Sequence, residues 1–300
     1  MNELINFVLK SGSAVVTTAQ GLFYPALFFL FFGLLIKRNA FFEDIRRAIP
    51  ETRLNIHIII ANIVLVLPII AFLSTLVSDF WTATGLVLFQ PADWDALPVP
   101  VTIFLAVLIG DFVGYWRHRF EHNSFLWPSH AVHHSDTEMT WLTLERFHPI
   151  NRLTTFVIDS SALLILGLPP FAVFANYLVR HYYGFFIHAD IPWTYGKLNY
   201  LFVSPVMHRW HHSADKVAHN RNFATVFGLW DWMFGTRYMP GICDSALGVT
   251  DDVGTTVWSQ LSYAFKPKAY RHLFRRKTPT ALNNANAETP FGYQSNQANH

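Results

Sequence analysis

Charged residues are scarce in this sequence. They make up 14% of the chain, against 52% hydrophobic residues, whereas soluble domains carry about a quarter charged residues. This shortage argues against a soluble enzyme and indicates a membrane protein with a substantial polar part. The formal net charge of +2 is too small to suggest nucleic-acid binding, and the sequence has no aromatic–basic groove pattern.

Cysteine is almost absent as well. A single residue, Cys243, excludes a disulfide framework within the chain and a cysteine-based zinc or iron–sulfur site. The sequence also has no glycine-rich dinucleotide motif after a strand and no recognisable haem-binding domain. Any redox chemistry would therefore need electrons from a separate protein.

Long apolar runs account for much of the chain. Three of them are long enough to cross about 30 Å of hydrocarbon as helices, at residues 14–36, 56–78 and 98–116. The loop 37–53 between the first two contains five basic residues, and the charges in 79–95 are all acidic. The positive-inside rule places the first loop in the cytoplasm and the second outside. The chain then returns to the cytoplasm at Arg117.

A fourth apolar stretch, 153–187, is interrupted by "GLPPF" at 167–171. Consecutive prolines favour a break over a continuous helix, so we predict a hairpin, 153–168 and 171–187, that enters the bilayer and returns. The alternative is one kinked crossing, which would place the histidine-rich segments that flank the stretch on opposite sides of the membrane. The hairpin keeps them together on the cytoplasmic face.

Histidines are concentrated in three short motifs, "HRFEH" (118–122), "HAVHH" (130–134) and "MHRWHH" (207–212). Positions i, i+3 and i+4 share one face of a helix, so each motif presents its imidazoles together. The eight histidines are His118, His122, His130, His133, His134, His208, His211 and His212. Eight imidazoles exceed the shell of one ion and predict two metals, since imidazole binds iron, zinc, copper and nickel. The alternative, a set of hydrogen-bonded core histidines, would need a separate partner for every ring.

Asp111 lies in the third apolar run, on one helical stripe with Tyr115, His118 and His122. A carboxylate within an apolar helix is costly and usually functional. We expect Asp111 to accept a hydrogen bond from the far nitrogen of a metal-binding histidine, or from a partner of one. The alternative is an ion pair with an arginine near the interface.

The region from about 104 to 237 resembles the sterol desaturase and fatty acid hydroxylase superfamily of integral-membrane, non-haem diiron enzymes. The segments that carry the resemblance are "DFVGYWRHRFEH" (111–122), "LWPSHAVHHS" (126–135), "ERFHP" (145–149), "FFIHAD" (185–190), "SPVMHRWHHS" (204–213) and "WDWMFGT" (230–236). Their order and spacing are similar to the family pattern. The N-terminal helices are similar to those of the family only in their apolar character.

The resemblance implies a ligand set made of the eight histidines above and His188. Some fatty acid hydroxylases carry another histidine four residues before that one, where this chain has Gly184. Either water fills that coordination position, or His148 or His181 substitutes. We expect His148 to lie just behind the ligands and His181 to lie at the membrane interface.

The resemblance also implies a function. Two iron ions would use O2 to hydroxylate or desaturate a C–H bond of a fatty acyl, sterol or related lipid that arrives from the bilayer. Zinc would be an adventitious substitute for the iron. The electrons would come from a cytochrome b5-like protein or from a ferredoxin with its reductase. The rival hypothesis is a histidine-rich membrane metal transporter or metal-storage protein without redox chemistry. Transport favours polar residues near the bilayer midplane, whereas these histidines lie at the ends of apolar runs.

The predicted fold is thus an all-α integral membrane protein, with about four membrane-embedded helices or hairpins and a cytoplasmic helical cap that carries the histidines. Its N-terminal transmembrane helices occupy 1–97, and the catalytic region with the hairpin occupies 98–240. A C-terminal extension follows over 241–277. The uncharged, Asn-rich tail 278–300 is predicted to be disordered.

This topology predicts the positions of two reporters. A reporter fused after residue 90 should be found outside the cytoplasm, and one fused after residue 215 should be found inside it. Protease or thiol accessibility in intact cells measures both positions. Finding the two reporters on the same side would refute the arrangement.

Overall fold

Helices make up the regular structure of this protein. The computed structural model describes residues 2–271, and over that range it contains helices, 3₁₀ turns and an isolated bridge between Ser213 and Leu247, with no strand. The all-α prediction is confirmed. The predicted tail 278–300, and residues 272–277 of the predicted C-terminal extension, lie outside the described residues.

Four long helices occupy the N-terminal part of the chain: α1 (Asn2–Lys37), α2 (Ala40–Leu65), α3 (Leu67–Thr84) and α4 (Val99–Glu121). Within residues 2–271, these four helices are long enough and apolar enough to cross a membrane. In α1, the candidate span begins at Leu9. Many of their large apolar side chains are exposed, as expected of surfaces that face hydrocarbon. The predicted number of about four membrane helices is confirmed.

The apolar run 56–78, which was predicted to be one helix, is divided between α2 and α3. Val66 donates its N–H to the carbonyl of Asn62, and Ile70 donates to the carbonyl of Val66, so helical hydrogen bonding continues across the junction. Pro68 lacks an N–H and accounts for the interruption. The helix also begins much earlier than the apolar run, at Ala40, because the charged segment before the run is helical too.

Two further helices, α6 (Pro149–Ile165) and α7 (Pro170–His188), are joined by a tight turn. Gly167 in this turn has φ +58, and a Cβ there would lie 1.7 Å from the carbonyl oxygen of Phe89. The turn therefore requires glycine. Both helices pack against α4, and the chain reverses between them. The insertion of this helical hairpin into a bilayer stays a prediction.

A polar contact joins the middle of α6 and α7 to the C-terminal part of α4. Asp159 of α6 accepts hydrogen bonds from Arg117 of α4 at 2.9 Å and from Arg180 of α7 at 3.0 Å. The reversal brings the start of α6 and the end of α7 to the same end of α4. His188, the last residue of α7, is thereby returned to the level of the histidines on α4.

The remaining elements cover that end of the bundle. They are α5 (Trp127–His134), α8 (Pro205–His211), α9 (Leu229–Met233) and α10 (Val257–Leu261), together with 3₁₀ turns such as Trp141–Glu145. The described part of the C-terminal extension belongs to this cap, since Val253 and Tyr263 pack with Ile58 of α2 and Val132 of α5. The cap therefore holds α5 against the membrane helices.

Candidate metal centre

Four helices deliver nine histidines to one end of the bundle. The last turn of α4 supplies His118 and is followed by His122, and α5 supplies three more. The end of α7 supplies His188, and α8 with its C-cap supplies the final three. The structure thus brings together all nine predicted ligands: His118, His122, His130, His133, His134, His188, His208, His211 and His212.

The nine imidazoles form two groups. The five-histidine group consists of His118, His122, His130, His134 and His211, and the four-histidine group consists of His133, His188, His208 and His212. Within each group, one ring nitrogen of every member lies within 4.8 Å of those of the others. Each group therefore has the composition and the compactness of a metal site.

Distances between facing nitrogens support this interpretation. In the five-histidine group, the Nε2 of His118 lies 3.0 Å from that of His130 and 2.9 Å from that of His211. In the four-histidine group, the Nε2 of His188 lies 3.2 Å from that of His133 and 3.0 Å from that of His208. A cation about 2.1 Å from each nitrogen separates neighbouring ligands by roughly 3 Å when they subtend about 90°.

The second and third histidine motifs each contribute ligands to both groups. His133 and His134 belong to different groups, as do His211 and His212, because adjacent residues of a helix point in directions about 100° apart. The groups nevertheless touch, since the rings of His134 and His212 stack with their centroids 4.4 Å apart. The motif H-x-x-H-H therefore serves two neighbouring sites at once.

Backbone carbonyls orient several of these rings. The Nδ1 atoms of His118, His211 and His188 lie 2.7 Å from the carbonyl oxygens of Phe223, Arg221 and Gly184, respectively. An Nδ1–H that donates to a carbonyl leaves Nε2 unprotonated and free to bind a metal.

Other ring nitrogens have no protein partner. The Nε2 atoms of His122 and His212 are buried without a hydrogen bond to any part of the chain that the structure describes. Buried polar atoms are normally satisfied. A cation bound at each group would satisfy both nitrogens.

The protonation state of the rings suits a metal. Burial, and after it the proximity of other imidazoles, holds the pKa values of His130, His133 and His134 well below the usual range. Burial lowers the pKa of His211 to about 4. These rings are therefore neutral at pH 7, which is the form that binds metal ions.

Asp111 contacts no imidazole. Its carboxylate accepts hydrogen bonds from the backbone N–H groups of Val226 at 3.0 Å and Phe227 at 2.8 Å, and Arg180 approaches it to 3.6 Å. The expected direct hydrogen bond with a ligand histidine is absent, and the alternative pairing with an arginine is present. Asp111 anchors the loop that follows the third histidine motif.

A second carboxylate, Asp231, holds the same loop. It accepts hydrogen bonds from the backbone N–H groups of Phe223 at 2.8 Å and Ala224 at 3.0 Å, and from the hydroxyl of Thr236 at 2.7 Å. The carbonyl of Phe223 in turn faces His118, so Asp231 positions that ring through the loop. Asp231 belongs to the "WDW" segment, but its position gave no indication of this contact.

Glu121 is an acidic residue that lies close to a predicted ligand. Its Oε2 lies 3.6 Å from the Nδ1 of His130 and accepts a hydrogen bond from Arg117 at 2.9 Å. The amide nitrogen of Asn151 lies 3.4 Å from the same Nδ1. Sequence reasoning missed both residues, although Glu121 lies inside the first histidine motif.

His148 and His181 stand apart from the two groups. The Nδ1 of His148 accepts a hydrogen bond from the N–H of Ile150 and caps α6, and its Nε2 lies 2.9 Å from the carbonyl of Leu261. His181 lies 3.7 Å from Glu145. His148 therefore does not support the ligands as we expected, and neither histidine replaces the ring missing at Gly184.

A polar cavity of about 330 Å³ reaches the five-histidine group from the surface of the cap. His122, His134 and His211 line its inner end, and Trp127 and Asp251 form part of its wall. The indole N–H of Trp127 donates to Asp251 at 2.9 Å. Water and small solutes thus have a route to this group that does not cross the apolar helices.

Comparisons with known proteins agree with this geometry. The fatty acid hydroxylase family matches residues 103–236. An ornithine lipid hydroxylase of Rhizobium tropici is 29% identical over 191 residues, which are 63% of this chain and 57% of that protein. Human alkylglycerol monooxygenase is 31% identical over 144 residues, which are 48% of this chain and 31% of that protein.

More distant relatives have similar names. A methylsterol monooxygenase of Arabidopsis thaliana is 28% identical over 143 residues, which are 43% of this chain and 45% of that protein. The chain thus spans between about a third and somewhat over half of the length of these relatives. No solved structure matches it.

The division into two groups predicts the metal content of variants. His134→Ala removes a member of the five-histidine group, and His208→Ala removes a member of the four-histidine group. We expect the metal content of the purified protein to fall from two ions per chain to about one in each variant, as measured by elemental mass spectrometry.

His57→Ala is the control, because His57 is exposed and belongs to neither group. It should retain both ions. A wild-type content of one ion, or an unchanged content in both group variants, would contradict the assignment.

Proposed function

We propose that the protein is a membrane-bound diiron monooxygenase that hydroxylates a lipid, because residues 103–236 match the fatty acid hydroxylase family. The observation that carries the proposal is the pair of touching imidazole groups at the end of the membrane helices. Two neighbouring redox-active ions suit the activation of O2, whereas a structural site needs one closed shell. Relatives named as lipid hydroxylases or monooxygenases favour hydroxylation over desaturation.

The donor set fits iron. Imidazole is a good ligand for iron, and iron changes its oxidation state, whereas zinc does not. The five-histidine group would hold one ion and the four-histidine group the other. Bound there, the iron pair would supply the reductive activation of O2 that attack on an unactivated C–H bond requires.

Hydroxylation sets a simple balance of atoms and electrons. One atom of O2 enters the C–H bond and the other leaves as water, which consumes two electrons and two protons. No redox cofactor motif occurs in the sequence, so the electrons come from a separate donor, either a cytochrome b5-like protein or a ferredoxin with its reductase. The polar cavity beside His122, His134 and His211 offers a path for the protons and for the water released.

The chain's own residues isolate and position the site. Phe147 stacks on His133 with centroids 4.8 Å apart, and Phe223 contacts His118 and His122. These rings cover His133, His118 and His122 on the sides away from the polar cavity and limit the access of water there. The carbonyls of Phe223, Arg221 and Gly184 fix the orientation of three imidazoles and so hold their Nε2 atoms towards the centre of each group.

The substrate is proposed to arrive laterally from the bilayer, since the helices that carry the site expose apolar side chains. The end of α4 that bears His118 follows the span that the positive-inside rule directs towards the cytoplasm. We accordingly assign the site to the cytoplasmic side of the membrane.

The transporter hypothesis is not favoured. A transporter needs binding groups along a path through the bilayer, whereas these nine histidines converge at one end of the bundle. Seven of them are buried, as in a permanent site.

The test is lipid analysis of cells supplied with ¹⁸O₂. Cells that express the wild-type protein should accumulate a lipid that gains one labelled oxygen. His133→Ala should lower this product at least tenfold, because the four-histidine group loses a ligand, and His57→Ala should not.

Membrane insertion is measured in parallel by fractionation, so that a loss of product is not a loss of protein. A labelled product formed equally by His133→Ala and the wild type would contradict the proposal. A lipid that loses two hydrogens without gaining oxygen would replace hydroxylation by desaturation.

A further inference from the structure

An apolar groove lies between α1, α2 and the chain around the turn Trp141–Glu145. Its volume is about 600 Å³, which is within the range of small-molecule sites. Phe29 and Leu30 of α1, Ile45 of α2, and Met139 and Leu142 form part of its wall. The groove lies where the apolar span of α1 ends at Lys37, so an occupant would meet hydrocarbon on one side and charged residues on the other.

The inner wall of this groove adjoins the four-histidine group. Ala189 lines the groove and directly follows His188, a member of that group. Trp141, also a lining residue, packs on Phe185 of α7 with centroids 5.2 Å apart. One layer of side chains therefore separates the groove from the imidazoles.

Six charged residues line the groove, and the two signs are balanced. The three basic residues are Lys37, Arg47 and Arg53, and the three acidic residues are Asp44, Glu138 and Asp190. This concentration is notable because only 14% of the chain is charged. The groove is thus amphipathic, with an electrically neutral rim.

The charges alternate along the rim. Lys37 contacts Asp44 at 2.6 Å and also contacts Asp190. Asp44 pairs with Arg47 at 2.6 Å, and Arg47 approaches Glu138 to 3.9 Å. Cations and anions therefore stand side by side along the opening.

Arg53 stands outside this row. Its side chain is exposed, and no acidic group within the described residues lies within salt-bridge distance of it. An exposed guanidinium at the opening is suited to a phosphate or carboxylate, which it can bind through two hydrogen bonds.

We propose that this groove binds a membrane lipid with a zwitterionic headgroup, and that lipids of this class are the substrates of the metal centre. The assignment as substrate rests on the proposed function. The anionic part of the headgroup binds Arg53 and Arg47, and its ammonium binds the carboxylates of Asp44 or Glu138. The chain of the lipid lies on the apolar wall beside Ala189.

Other headgroups fit this rim less well. A net anionic headgroup meets three carboxylates as well as three cations, so its attraction is largely cancelled. An uncharged headgroup leaves Arg53 unpaired and cannot exchange with the existing ion pairs. A zwitterionic headgroup can replace each rim ion pair that it disrupts. Its cation and its anion are about as far apart as the two charges of such a pair.

The test measures lipid binding by the metal-free protein in detergent. Native mass spectrometry follows the binding of phosphatidylethanolamine, phosphatidylglycerol and diacylglycerol with identical acyl chains, supplied in equal amounts. We expect phosphatidylethanolamine to be retained at least fivefold more than either of the others.

Two variants of α1 locate the binding. Ala26→Phe places a ring in the groove, which Ala26 lines, and should lower phosphatidylethanolamine binding at least fivefold. Ala19→Phe makes the same change at an exposed position of α1 outside the groove and should leave binding unchanged. Arg53→Ala changes an exposed side chain, and should lower binding of phosphatidylethanolamine but not of diacylglycerol.

The outcomes separate this proposal from the proposed function. Equal binding by Ala26→Phe and the wild type, an unchanged affinity in Arg53→Ala, or a preference for phosphatidylglycerol would overturn the groove assignment even if the protein oxygenates a lipid. Selective binding that Ala26→Phe abolishes supports the groove, even if no oxygenated product is ever found.

Discussion

The structure depends on the packing of nine imidazoles, seven of them buried, in one pocket. Each unsatisfied buried polar atom costs about 1–3 kcal/mol, and the Nε2 atoms of His122 and His212 have no hydrogen bond within the described part of the chain. A cation bound at each group would offset this cost, because it would bond to ring nitrogens that lack another partner and would couple metal binding to folding. Low imidazole pKa values follow from the same burial and keep the rings in the form that binds metal.

Elements distant in the sequence cooperate to hold this pocket. The hairpin of α6 and α7 brings His188 back to the end of α4, and Asp159 joins the hairpin to α4 through Arg117 and Arg180. The loop after α8 is held by the carboxylates of Asp111 and Asp231. Its carbonyls face His118 and His211, so the two aspartates orient the imidazoles from behind.

Local spacing in the sequence predicted eight of the nine converging histidines, because i, i+3 and i+4 positions share a helical face whatever the tertiary structure. The ninth, His188, was implied only by the family resemblance. The resemblance to the sterol desaturase and fatty acid hydroxylase superfamily, and the number of long apolar helices, are confirmed. The division into groups of five and four was not predictable. It depends on how α4, α5, α7 and α8 are rotated relative to one another, and consecutive residues such as His133 and His134 separate only once that packing is known.

The misplaced residues have a common physical cause. Asp111 and His148 were expected beside the ligands because they are polar residues close to them in the sequence or in the family pattern. Asp111 instead satisfies backbone donors 115 and 116 residues away, and His148 caps its own helix. A polar side chain takes the nearest available partner in the folded chain, and that partner is often a backbone group of a distant loop.

The central claim is that two neighbouring redox ions are held by imidazole nitrogens alone. X-ray absorption at the iron edge of the iron-loaded protein tests it most directly. The account predicts two ions per chain with nitrogen-dominated ligand shells, the imidazole signature, and a second iron close enough to scatter. A single isolated iron, or a shell dominated by carboxylate oxygens, would contradict it.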